Sequence, residues 1–67
     1  MTDEIDIWRS AHGVIQRHGN LAEVIAVMRI EAMTKRGDQE GEAVWKRILQ
    51  AIKDLRRTAR KTNDSLQ

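Results

Sequence analysis

The sequence predicts an all-α protein, a small antiparallel three-helix bundle. Three observations support this: apolar residues recur at helical spacing, proline is absent, and two glycines stand where periodic segments end. The predicted helices cover roughly residues 3–18, 20–36 and 38–60 and are joined by very short turns. We expect one domain over residues 1–61, followed by a frayed polar tail over residues 62–67.

The predicted turns follow from helix-ending and helix-starting residues placed side by side. Gly19 and Gly37 each follow a periodic segment, in the position where a left-handed backbone conformation ends a helix. Asn20 has Glu23 three positions later, which is the spacing of a capping box. Asp38 is followed by acidic residues that favour the positive end of a helix.

Helix one carries a single apolar arc, made of Ile5, Ile7, Trp8, Ala11, Val14 and Ile15. His12 falls within this arc, so we expect its ring to be partly buried. Trp8 also lies in the arc, and the periodicity favours a role as a core anchor.

Helix two is apolar on two opposite sides. One stripe consists of Leu21, Val24, Ile25, Met28 and Ala32, and the second consists of Ala22, Ala26, Ile30 and Met33. A helix of this kind is normally buried on both sides. Either helices one and three cover both stripes, or the second stripe is an interface with a partner. We expect the second stripe, with its small alanines, to bind another copy of the chain or another protein.

Helix three has a broad apolar arc and, beside it, a basic stripe. The arc contains Val44, Trp45, Ile48, Leu49, Ala51, Ile52, Leu55 and Ala59, and the basic stripe contains Lys46, Lys53, Arg56, Arg57 and Arg60. The periodicity favours Trp45 as a second core anchor; the alternative is an exposed binding anchor at the margin of the arc. Gly41, in the first turn, lacks a side chain and would let helix two pass close by.

Two interpretations of the basic stripe remain open. Its cations complement the negative end of helix three, which needs no ligand. They could instead, together with Trp45, contact nucleic acid or another acidic partner. Sequence-specific reading of DNA by the start of helix three is disfavoured, because Asp38, Glu40 and Glu42 would repel phosphates.

Length and composition limit the possible classes of protein. A chain of 67 residues without cysteine has neither disulfides nor thiolate metal sites to reinforce a small core. The net charge of +2 combines an N-terminal part, residues 1–42, of net −3 with a C-terminal part, residues 43–67, of net +5. No signal peptide or membrane-spanning run is present, so we expect a soluble, cytoplasmic protein that does not bind membranes.

Four short segments mark the turns and the helix packing: Asp6-Ile7-Trp8-Arg9, Arg17-His18-Gly19, Gly37-Asp38-Gln39-Glu40-Gly41 and Val44-Trp45-Lys46-Arg47-Ile48. Through them the chain resembles a family of short, uncharacterised bacterial helical proteins over about residues 5–55. The resemblance implies a bacterial origin and brings no activity with it.

The sequence predicts no enzyme, cofactor, metal site or small-molecule substrate. His12 and His18 are six residues apart, whereas a helical two-histidine metal site uses a spacing of three or four. Ser10 has no base and orienting group at a suitable spacing. The function we expect is therefore protein binding, most simply formation of a homodimer through the second stripe of helix two. The alternative is nucleic-acid or acidic-partner binding through the basic stripe.

Overall fold

The computed structural model describes the backbone of residues 3–66 and the side chains of residues 3–58. Its helical elements, in chain order, are α1 (Glu4–His18), a 3-10 turn (Gly19–Leu21), α2 (Ala22–Arg36) and α3 (Gln39–Leu66). The described backbone contains no strand, so the predicted all-α class is confirmed.

The third helix is longer than predicted. α1 and α2 end where the glycine positions place their ends, but α3 continues past residue 60 to Leu66. The predicted tail over residues 62–67 lies outside the side chains that the structure describes.

The turn between α2 and α3 is built as the sequence predicts. Gly37 adopts a left-handed conformation, with φ 74° and ψ 19°, which a side chain would disfavour. The N–H groups of Gly37 and Asp38 donate to carbonyl oxygens in the last turn of α2, at 3.1 and 2.9 Å. The carboxylate of Asp38 then accepts a hydrogen bond from the N–H of Gly41 at 2.9 Å, which caps the start of α3.

The turn between α1 and α2 differs from the prediction. Gly19 ends α1 with a positive φ of 55°, as expected, but the chain then forms a 3-10 turn. Leu21 therefore occupies the N-cap position of α2, and no side chain caps this helix end. The predicted capping box of Asn20 and Glu23 is wrong, because Asn20 lies inside the 3-10 turn and Glu23 reaches across to α3.

α3 is the helix against which the other two pack. Its contact with α2 is the most extensive, its contact with α1 is second, and α1 and α2 contact each other least. Helix two is therefore not sandwiched between helices one and three. One side of α2 faces α3, and the opposite side has no helix of the same chain across it.

The buried core is small and rich in alanine. Its members are Ile7, Ala11, Ala22, Ala26, Ile48, Ala51 and Ile52. Four of these seven residues are alanines, and among residues 3–58 Ile52 is the one large side chain with less than 2% of its surface exposed. Alanine side chains bury little apolar area but let helices approach closely, so the hydrophobic stabilisation of the chain by itself is modest.

Two glycines in helices give a matched test of this packing. A Cβ at Gly13 would meet no atom within 4 Å, whereas a Cβ at Gly41 would lie 2.7 Å from Asp38 Oδ2 and 2.8 Å from Met33 Sδ. We expect Gly13→Ala to raise the free energy of unfolding by about 0.5–1 kcal/mol, the usual gain from replacing a helical glycine.

Gly41→Ala is expected to lack this gain, because the new methyl group displaces the capping carboxylate of Asp38, and the resulting cost of about 1 kcal/mol offsets the gain in helix propensity. Urea titrations of both variants at one protein concentration measure the two changes. Equal shifts of the same sign would contradict the close approach of α2 to the start of α3.

Candidate functional site

The outward face of α2 carries large apolar side chains in contact with solvent. We define this face by four residues whose exposed fractions are 59% for Leu21, 52% for Val24, 43% for Val27 and 57% for Met28. Leu21, Val24 and Met28 belong to the first apolar stripe predicted for helix two, and Val27 lies beside them. Contiguous exposed apolar groups of this kind on a small protein typically mark a contact surface.

The second stripe of α2, which we expected to be the interface, lies on the inner side. Ala22 and Ala26 are fully buried, and Ile30 and Met33 are half-buried. The prediction is therefore wrong for Ala22 and Ala26, which offer no surface to a partner in this structure, while for Ile30 and Met33, which keep part of their surface exposed, it stays a prediction. The physical reason is the size of alanine: a helix approaches most closely along a row of small side chains, so α3 packs against this row.

Two cations of the basic stripe are held by carboxylates. Lys46 Nζ lies 3.0 Å from a carboxylate oxygen of Glu42, one turn earlier in α3. Arg56 Nη1 donates to Glu23 Oε2 at 2.7 Å and so joins α3 to α2. The hydrogen bond from Lys46 holds the pKa of Glu42 below its usual value.

Of the remaining cations of the stripe, Lys53 and Arg57 lie within the described side chains. Lys53 and Arg57 are exposed and flank the pair of Arg56 and Glu23 in a shallow cleft of ≈ 230 Å³. The side chain of Arg60 lies outside the described residues. Because a carboxylate sits among these cations, the stripe presents less positive potential than its sequence indicates.

Trp8 and its neighbour Ile5 are exposed, which corrects the expectation for helix one. Trp8 is 37% exposed and Ile5 is 69% exposed, whereas Ile7 and Ala11 carry the contact with the core. His12 is exposed as well. The predicted arc is wider than the strip of α1 that packs inward, so its far margin faces solvent.

Trp45 combines both roles that the sequence left open. It is half-buried and packs against the core. The guanidinium of Arg29 lies 6.0 Å from the centroid of its ring, at the outer limit of a cation–π contact. Trp45 is thus a partly exposed aromatic residue whose ring is positioned by both the core and α2.

A basic cleft lies between the C-terminal half of α1 and α2, and Trp45 of α3 also lines it. Its volume is ≈ 380 Å³, and its lining includes Val14, Arg17, His18, Ile25, Arg29 and Trp45. A second cleft of ≈ 280 Å³ shares His18, Ile25 and Arg29 with it and extends along α2 to Met28. The basic cleft is therefore continuous with the outward face of α2 through Met28.

The chemistry of the cleft is an apolar floor with a cationic rim. Trp45 and Ile25 supply apolar surface, while Arg17 and Arg29 supply guanidinium groups. Among the residues that the structure describes, neither arginine has a carboxylate partner. Such a site suits a ligand that joins an apolar group to carboxylates.

Sequence reasoning did not identify this cleft. Arg17 and Arg29 belong to none of the apolar or basic stripes that the sequence defines. The groups that form the cleft come from three helices, so no local spacing connects them. A usable signal is Arg17 in the last turn of a helix, which places a guanidinium group beside the following turn.

The two histidines of the chain, His12 and His18, both lie on α1. His18 is in the last turn of this helix. Among the described residues, no group of three or more histidine, aspartate and glutamate side chains is close enough to hold a metal ion.

Comparison of the chain with models of protein families, with curated proteins and with solved structures finds no match. The resemblance to short bacterial helical proteins therefore stays an expectation. Within the described backbone, no helix has both the length and the apolar character needed to cross a bilayer.

Proposed function

We propose that the protein is a non-enzymatic interaction module, a small three-helix bundle that self-associates through the outward face of α2. One observation carries this proposal: α2 buries alanines and exposes its larger apolar residues. Ala22 and Ala26 are fully buried, while Leu21, Val24 and Met28 are each more than half exposed. A second molecule that binds this face would bury these three side chains.

The size of the core supports self-association. A chain of 67 residues with four alanines among seven core residues has little apolar burial of its own. Apolar area removed from water contributes about 25 cal/mol per Å². A dimer that covers Leu21, Val24, Val27 and Met28 in both copies would therefore add substantially to the stability of each.

Charged residues border the outward face. Between Leu21 and Met28 the one charged residue is Glu23, which pairs with Arg56 of the same chain. The exposed Glu31 follows Met28 by three residues and lies on the same side of the helix, at the C-terminal end of the face. An apolar centre with charged residues at its rim is typical of interfaces between proteins.

Val24→Glu tests the proposal. Val24 is 52% exposed, so a glutamate there remains hydrated in the monomer but would be buried without a partner in a dimer. We expect light scattering across a concentration series to show a dimer for the natural chain. We expect a monomer for the variant at every concentration, with its helical content preserved.

The matched control is Ala43→Glu, at an exposed alanine in the second turn of α3. It introduces the same side chain away from the outward face, and it should leave the dimer unchanged. A natural chain that stays monomeric throughout the series would refute self-association. Ile30 is unsuitable for this test because it is half-buried, so a charge there would change folding as well.

A further inference from the structure

The N-terminal end of α1 has the opposite character to the basic cleft. Its exposed apolar side chains are Ile5 and Trp8, at 69% and 37% exposure. Asp3, Glu4 and Asp6 are neighbours of these residues in sequence, and all three are exposed. We name residues 3–8 the acidic segment. It joins apolar groups to carboxylates, which is the chemistry that the basic cleft suits.

We infer that the basic cleft receives the acidic segment of a second copy of the chain. This inference rests on the proposed self-association and specifies which surface of the partner meets the cleft. Ile5 and Trp8 would contact the apolar floor near Ile25 and Trp45. The carboxylates would pair with the guanidinium groups of Arg17 and Arg29.

The acidic segment cannot reach the cleft of its own chain. Both lie on α1, and a helix rises about 1.5 Å per residue, so Asp3 is about 20 Å from Arg17 along the axis. Ile7, within the segment, is buried in the core of its own chain, which holds this end of α1 beside α3. The contact is therefore possible between copies and not within one.

The contact can be made twice in a closed dimer. Each copy offers one acidic segment and one basic cleft, so a two-fold axis would pair both at once. The cleft borders Met28, which belongs to the outward face of α2. The partner's acidic segment would thus extend the same interface that covers the outward face.

A charge exchange between two variants tests the inference. The cleft variant carries Arg17→Glu with Arg29→Glu, and the segment variant carries Asp3→Lys with Asp6→Lys. In either variant alone, cleft and segment have charges of the same sign, and we expect the dissociation constant of the dimer to rise at least tenfold. In a mixture, one cleft variant and one segment variant restore opposite charges at both contacts, so we expect a heterodimer about as tight as the natural homodimer.

The control variant, Arg9→Glu with Arg57→Glu, makes the same change in charge at exposed positions outside the cleft and should dimerise normally. Circular dichroism establishes that each variant keeps its helices. If a variant does not fold, the natural dimer supplies the test, because its dissociation constant should rise steeply between about 0.05 and about 0.5 M salt.

The outcomes separate the inference from the proposed function. A natural chain that is monomeric refutes both. If the natural chain dimerises and both variants dimerise equally well, the inference is overturned while self-association stands, and the cleft has a different occupant, such as an acidic segment of another protein. Variants that are monomeric alone and remain so when mixed also overturn it, because charge complementarity then fails to restore the contact.

Discussion

Replacing Ile52 with alanine is expected to leave much of the chain unfolded at room temperature. Ile52 is the one large side chain with less than 2% exposure in the described core. Truncation of a buried isoleucine to alanine typically costs about 2–5 kcal/mol. A domain of this size rarely has more than about 3–5 kcal/mol of stability from its core. The substitution therefore removes most of the free energy of unfolding.

Ile52→Val provides the graded control for this prediction. It deletes a single methyl group and typically costs about 0.5–1.5 kcal/mol, so the valine variant should stay folded. Urea unfolding followed by circular dichroism, at one concentration, compares the natural chain with both variants. Similar stabilities for the alanine and valine variants would show that Ile52 does not fill the centre of the core.

Ala26→Leu is expected to have the next largest effect. Ala26 has no exposed surface and lies on the side of α2 that packs against α3. Three additional carbon atoms in that contact force the helices apart, and overpacking of this kind typically costs about 1–3 kcal/mol. We expect a marked decrease in the urea midpoint, together with a loss of helicity on mild heating.

Ala32→Leu is the matched control, because it makes the same enlargement in the same helix at an exposed position. Alanine and leucine have similar helix propensities, so its stability should change by no more than about 0.5 kcal/mol. A large loss of stability for Ala32→Leu with none for Ala26→Leu would show that Ala32, and not Ala26, lies on the inner side of α2.

The turn between α2 and α3 could be predicted from the sequence because its chemistry is local. Gly37 supplies a left-handed backbone, Asp38 supplies a capping carboxylate, and Gly41 leaves space for Met33. Each of these effects acts within a few residues, so residue type and order determine them. The local sequence determines the turn after Gly19 less well, because it is compatible with both a capping box and a 3-10 turn. The structure has the 3-10 turn.

The inner and outer sides of α2 could not be distinguished in the same way. Periodicity shows that two apolar stripes exist and that they lie opposite each other, but it does not show which of them meets α3. Hydrophobicity favours the larger side chains inside, whereas close approach of helices favours alanine. In this fold close approach prevails, and Ala22 and Ala26 are buried while Leu21 and Met28 are exposed.

The basic cleft lay beyond sequence reasoning because it is a tertiary feature. Arg17, Arg29 and Trp45 come from three different helices, and their proximity depends on how these helices pack together. The packing also decides the exposure of Trp8, since Ile7 and Ala11 are the residues of α1 that become buried. Sequence gives the faces of each helix, and the crossing of the helices decides which faces meet.

The two tryptophans are intrinsic fluorescent reporters, one in the acidic segment and one in the basic cleft. The chain has no tyrosine or phenylalanine, so its near-ultraviolet fluorescence arises from Trp8 and Trp45 alone. Trp8 stands exposed on the acidic segment, and Trp45 lies half-buried in the basic cleft under Arg29. With either indole replaced by a non-fluorescent side chain, the emission of the other reports changes at one surface without a label.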